Sequence, residues 1–109
     1  MKAVSSNARI SAAAGRDLYQ KMGCIGCHSV DGTREGKVGP TFKNLWDARR
    51  TFTDGSSAIA DSAYIRRSIL TPSDQIVAGY PEGMPSFNGM LSDAQITSLV
   101  LYIQSLRNR

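Results

Sequence analysis

The sequence predicts an all-α domain with long connecting loops, on three observations. Near the C-terminus, Ile96, Leu99, Val100, Ile103 and Leu106 recur at helical spacing, behind Ser92 and Gln95 placed as a capping box. A second helical pattern stands near the N-terminus. Nowhere does a stretch alternate apolar and polar residues with the period of two that a half-buried strand needs.

Taken in order, residues 1–11 read as a linker or flexible terminus and residues 12–109 as the domain proper. A first helix is expected over Ala12–Met22, with Leu18, Tyr19 and Met22 on its apolar face and Gly23 ending it. Asp31-Gly32-Thr33, Gly36 and Gly39-Pro40 then make a turn-rich loop. Thr41–Asp47 is expected to form a short helix. Asp61 is placed to cap a helix over Ser62–Leu70, which Pro72 stops. Ser73–Gly89 contains Gly79, Pro81, Gly83, Pro85 and Gly89, so it is expected to be an extended, ordered loop. The capped C-terminal helix follows. There is no internal repeat and no low-complexity tract.

With 109 residues, the chain has the size of one domain, and a core this small benefits from a covalent or metal staple. Apolar residues make up 41%, and no run approaches the roughly 20 that a membrane span needs. The first dozen residues lack the apolar run of a secretory signal, so a mature or trimmed soluble piece is expected. The net charge of +4 comes from nine Arg and four Lys against seven Asp and two Glu. The cations are scattered, with only Arg49-Arg50 and Arg66-Arg67 adjacent. No nucleic-acid-binding motif accompanies them, and no nucleic-acid partner is expected.

The chain's only two cysteines and only histidine fall together in Cys24-Ile25-Gly26-Cys27-His28. A thioredoxin-like redox pair needs a CxxC beside a βαβ pattern, and the chain offers no strands for one. A structural zinc site needs four Cys or His ligands, and three such residues exist. What remains is the attachment motif of a c-type haem. Each thiol adds to one vinyl group of the porphyrin, so the two must lie one short turn apart. The following histidine is then placed to bind iron as the proximal ligand.

Two further contacts are needed. A ligating histidine donates its other ring N–H to an oxygen, and the Gly-rich loop ending at Gly39-Pro40 has the length to return a carbonyl, nominated as that of Pro40. Pro40 also suits the start of a following helix. For the sixth position of iron the chain offers Met1, Met22, Met84 and Met90. Met1 is terminal. Met22 precedes the motif and suits the core. Met84 lies in the breaker-rich loop before Pro85, which would hold the backbone extended, and is the expected ligand. Met90, beside the capping box, is the fallback. The haem propionates need donors or solvent, for which Trp46, Arg49, Arg50, Tyr64 and Tyr80 are the candidates.

With Gly15-x-x-x-Tyr19, CIGCH, GPTF at 39–42, MPSFNGMLSD at 84–93 and LVLYIQSL at 99–106, the chain resembles a class I monohaem cytochrome c over about Gly15–Leu106. The resemblance implies first and last helices crossing at close range, with Gly15 and Tyr19 meeting Leu99, Tyr102 and Ile103. It also implies that the Pro40 carbonyl and the Met84 sulfur play the roles just given. More narrowly, CHSVDGT, GPTFKNLW, ADSAYIRRSIL and GYPEGMPSF are similar to the cytochrome c domain of subunit II in caa-type haem–copper oxidases. They are also similar to cytochrome domains of the alternative quinol-oxidising complex of bacteria. Subunit II carries a dinuclear copper site upstream, and no Cys or His is left here to build one. An excised domain or a free-standing relative is therefore expected.

The function implied is one-electron transfer by a covalent haem c, not catalysis. The partners implied are an electron donor and a terminal oxidase or its copper site. The setting is the periplasm or the outer face of the cytoplasmic membrane, with the domain soluble but open to tethering. Electrons are expected to leave near Cys27 and Ile25, with Lys21, Lys37 and Lys43 available to orient an acidic partner. The competing class is a catalytic or gas-sensing haem protein with an open iron position.

Overall fold

The computed structural model describes residues 10–37, 39–80, 84 and 86–107. Three α-helices frame it: α1 over Ala12–Lys21, α2 over Ser62–Leu70 and α3 over Asp93–Ser105. Single 3₁₀ turns stand at Cys24–Gly26 and Pro72–Asp74. The expected linker falls on residues of which 1–9 lie outside those described.

Each helix starts where a side chain can satisfy the unpaired N–H groups of its first turn. The Ser11 hydroxyl accepts from the Ala14 N–H at 3.0 Å. Asp61 accepts from Tyr64 at 2.9 Å. Ser92 and Gln95 exchange bonds as the complete capping box, at 3.1 and 2.8 Å. Helix α1 ends at Gly23, whose φ of 85° is left-handed backbone that a side chain would disfavour. The turn this creates swings the chain directly into the cysteine motif.

Helices α1 and α3 cross at Gly15. A Cβ built on Gly15 would lie 2.0 Å from the Ser98 carbonyl oxygen and 2.8 Å from the Tyr102 Cβ, so the two backbones touch there. One turn later the Tyr19 ring meets that of Tyr102 at 5.7 Å between centroids. On the far side, α2 is held to α3 by Arg66, which pairs with Asp93 at 2.7 Å and also donates to the Thr97 hydroxyl. The buried faces of the three helices, including Tyr19, Ile65, Ile69, Leu99 and Ile103, form one core.

Two expectations need correction. Residues 49–51 and 57–59 pair as a small antiparallel hairpin, β1 (Arg49–Thr51) with β2 (Ser57–Ile59), in register Arg50 to Ala58. Strands of three residues are too short to display alternation in sequence. Its turn is stitched by Asp54, which accepts from the Ser56 N–H at 2.8 Å. Thr41–Asp47 is not a helix but a run of turns. Asn44 and Asp47 adopt φ of 59° and 66° there, a left-handed region that Asn and Asp tolerate and a helix does not contain. The segment 76–78 runs beside the hairpin, through Thr53 N–H to the Ile76 carbonyl and Ala78 N–H to the Thr51 carbonyl, each 2.8 Å.

Candidate functional site

Helices α2 and α3, strand β1 and the loop residues enclose a cavity of ≈ 360 Å³. Its walls are mostly apolar, including Phe42, Leu45, Ile65, Ile69 and Leu99, and Cys24, Cys27 and His28 stand at one side. The cysteines sit on the 3₁₀ turn that Gly23 introduces, with the His28 N–H bonded to the Cys24 carbonyl at 2.9 Å. Both thiols are unpaired. Burial pushes the Cys24 thiol above its ordinary pKa, with Cys27 adding to the rise. Among the described residues no group of three His, Cys, Asp or Glu side chains is placed to hold a metal ion.

His28 is fixed on every side that the cavity does not need. Its Nδ1 lies 2.8 Å from the Pro40 carbonyl oxygen. Its ring stacks on Phe42 at 4.7 Å and 19°. Its backbone carbonyl accepts from the Tyr19 hydroxyl, and the Cys27 carbonyl accepts from the Gly39 N–H at 3.0 Å. Gly39 lies so close that a Cβ there would stand 2.4 Å from His28 Cε1. Burial lowers the imidazole pKa, the nearby Lys37 charge lowers it further, and the Pro40 bond opposes both. The ring is thus held neutral with Nδ1–H donating to Pro40, which leaves the Nε2 lone pair available as a ligand.

Of the other expected residues, Pro40, Arg50, Tyr64, Tyr80 and Met84 line the cavity. Met84 is half-buried and packed against the core. The chain beyond it is tied to α2 through Phe87 N–H to the Ile69 carbonyl at 3.1 Å and the Ser86 hydroxyl to the Leu70 carbonyl at 2.6 Å. Pro85, expected to hold that backbone extended, lies outside the described residues. Met90 does not face the cavity and is 62% exposed, so the fallback ligand is misplaced.

Arg49 and Trp46 are not brought to the cavity. Successive strand residues point to opposite faces, so Arg49 is exposed and donates to the Ser57 hydroxyl at 3.2 Å while Arg50 turns inward. Trp46 is half-buried against the core outside the cavity lining. Sequence reasoning overlooked Phe42 as the stacking partner of His28, although GPTF was in view, and gave Gly39 no reason to be glycine. It also missed Tyr19 as the hydroxyl that holds the His28 carbonyl.

Whether these residues fit a covalent haem is tested by one buried atom. Arg50 Nε is buried without a hydrogen-bond partner among the described residues, on the wall of an otherwise apolar cavity. A buried, unpaired guanidinium nitrogen is costly. A carboxylate-bearing apolar ring is the kind of group that satisfies both the nitrogen and the walls. Two thiols one turn apart, a pinned imidazole and a thioether on the same cavity complete the donor set. The residues fit the group.

The comparisons with known proteins agree. Residues 12–107 match the Cytochrome c family model. The chain is 33% identical over 94 residues to the cbb3-type cytochrome c oxidase subunit CcoP of Helicobacter pylori (strain 52). That match covers 85% of the chain and spans 27% of the length of the subunit. Among solved structures, cytochrome cH from Methylobacterium extorquens superposes with a TM-score of 0.61 at 22% identity. The superposition covers 87% of this chain and 98% of that one, a likeness of fold. The chain belongs to the cytochrome c family, carries the class I fold, and takes one haem c covalently through Cys24 and Cys27.

Proposed function

We propose that this cytochrome c electron carrier holds iron between His28 and Met84 and delivers electrons to a terminal respiratory oxidase. The observation that carries the proposal is the cavity itself, lined by both the pinned imidazole and the Met84 thioether. Bound haem c supplies a reversible one-electron couple at iron, and thioether ligation favours a raised potential.

The chain's own residues make that couple usable. The Pro40 carbonyl and the Phe42 ring keep the imidazole from turning, so ligation need not rearrange as charge changes. The mostly apolar walls keep water out. Arg50 is assigned to one propionate, with the Tyr64 and Tyr80 hydroxyls as further donors on the same lining. Ile25, 45% exposed within the attachment turn between the two cysteines, offers an apolar contact at the surface. Lys37 donates to the Ile25 carbonyl at 2.9 Å and leaves a positive rim there for an acidic partner.

The oxidase role is supported by the relative of stated name, an oxidase subunit, and by the segments similar to subunit II of caa-type enzymes. Among the described residues no helix is long and apolar enough to cross a membrane, so attachment to a membrane complex would come from chain outside them. Covalent haem attachment and a relative that is a respiratory oxidase subunit support a setting on the outer face of the cytoplasmic membrane.

Two rate measurements test the reading. The ferrous protein is expected to bind carbon monoxide slowly and to reduce a purified haem–copper oxidase rapidly under oxygen. Fast carbon monoxide binding contradicts the closed site and favours a gas-binding role. Closed iron with no oxidase reduction moves the domain to another respiratory complex.

A further inference from the structure

The loop that follows the haem motif and the segment that leads toward Met84 approach each other at one side of the cavity. The first, Asp31–Lys37, is anchored to the His28 side. The Ser29 hydroxyl donates to the Thr33 carbonyl at 2.7 Å, the Lys37 N–H donates to the Arg34 carbonyl at 3.0 Å, and Lys37 Nζ reaches the Ile25 carbonyl. The second, Gln75–Tyr80, is anchored to the hairpin through Thr53, Phe52 and Thr51. It ends with Tyr80, a cavity-lining ring four positions before Met84.

Among the described residues no hydrogen bond joins these two segments. What joins them is Arg34, whose guanidinium carbon lies 5.0 Å from the centroid of the Tyr80 ring. Arg34 has no carboxylate partner among the described ion pairs of the chain. Its stem reaches across from an exposed loop to an aromatic ring on the cavity wall. A guanidinium within about 6 Å of a ring face is attracted by the ring quadrupole.

We propose that Arg34 is a positioning residue that clasps the Tyr80 segment and so keeps the Met84 side of the site closed against the His28 side. The proposal rests on the His28/Met84 reading. Arg34 touches neither iron nor haem in this account. It acts through Tyr80, by lowering the population of open molecules in which Met84 has swung away and a small ligand can enter. Among the described residues each of the two segments is otherwise hydrogen-bonded to its own neighbours, so the stack is where they can part.

The test is the rate at which the ferric holoprotein binds imidazole, above the pKa of the free ligand. A neutral probe feels little direct pull from the guanidinium. When binding must wait for opening, the observed rate follows the open population. Removing an exposed cation–ring contact is expected to raise that population about two- to five-fold. Arg34→Gln therefore binds imidazole about two to five times faster than the parent, while its near-infrared sulfur-to-iron band at rest stays in place. Arg34→Lys keeps a cation and falls between the two. Tyr80→Leu also speeds binding, and the double variant is no faster than the faster single one, because the two changes remove one contact.

An unchanged rate in Arg34→Gln overturns the proposal, as does a double variant whose factor is the product of the two single factors. Arg16→Gln, an exposed change on α1, controls for loss of a surface charge and leaves the rate alone. A parent protein that lacks the near-infrared band and binds imidazole without delay contradicts the Met84 reading itself. That result is distinct from a clasp that fails in a protein with the band.

Discussion

Replacing Gly15 by alanine tests the close crossing of α1 and α3 that holds the attachment turn against the rest of the fold. The added Cβ would lie 2.0 Å from the Ser98 carbonyl oxygen, 2.6 Å from its carbon and 2.8 Å from the Tyr102 Cβ. Two of those three atoms are backbone, and no rotamer change removes them. The helices must separate or α1 must slide. Overpacking a well-packed site costs about 1–3 kcal/mol, occasionally more, and a contact with main chain belongs at the upper end. Against it, alanine returns up to about 1 kcal/mol of helix propensity over glycine.

The expected net loss is about 2 kcal/mol, which for a chain of this size lowers the melting temperature by about 8 °C. Far-ultraviolet circular dichroism of the holoprotein during heating reads it. Ala13→Gly, at an exposed position of the same helix, supplies the propensity scale alone, about 1 kcal/mol in the destabilising direction. A Gly15→Ala protein as stable as the parent, or more so, refutes the reasoning, because propensity would then outweigh a clash that does not exist.

Three further outcomes follow from the site. Gly39→Ala places a Cβ 2.4 Å from His28 Cε1 and 2.7 Å from Nδ1. The ring must turn away from Pro40, and the electron paramagnetic resonance g values of the ferric protein should shift; unchanged values would mean the ring does not rest on Gly39. Arg50→Gln removes a cation from the cavity wall, which disfavours the reduced, less positive state of the cofactor. Redox titration should give a lower potential than the parent, and an equal or higher one contradicts the propionate assignment. Tyr19→Phe leaves the buried His28 carbonyl without its donor, at a cost of about 1–3 kcal/mol. Denaturant unfolding at unchanged m-value reads the loss, and full stability would show that the carbonyl finds another partner.

Much of this arrangement was legible in the residues because local chemistry dictated it. The caps at Asp61 and Ser92 and the stop at Gly23 fall where side-chain oxygens and a left-handed glycine allow them. The Pro40 carbonyl follows from the need of a ligating imidazole for an acceptor, and the structure puts it 2.8 Å from Nδ1. What sequence reasoning could not supply depends on non-local packing. The β1–β2 hairpin is three residues a side, and its direction alone decides that Arg50 and not Arg49 enters the cavity. The helix expected over Thr41–Asp47 gives way to turns because the chain must bring Pro40 and Phe42 onto His28 within a few residues. Left-handed Asn44 and Asp47 accomplish the reversals there. The breaker-rich loop before Pro85 favours Met84 over Met90 in the sequence, although side-chain type alone does not separate the two methionines. Exposure separates them: one is half-buried on the cavity, the other 62% exposed.

That separation carries the account, and near-infrared absorption of the ferric holoprotein tests it most directly. A thioether bound to ferric haem iron gives a weak sulfur-to-iron charge-transfer band. The parent protein should show it, Met84→Ala should lose it and gain rapid carbon monoxide binding in the ferrous state, and Met90→Ala should keep it. A band that survives in Met84→Ala and vanishes in Met90→Ala contradicts the assignment.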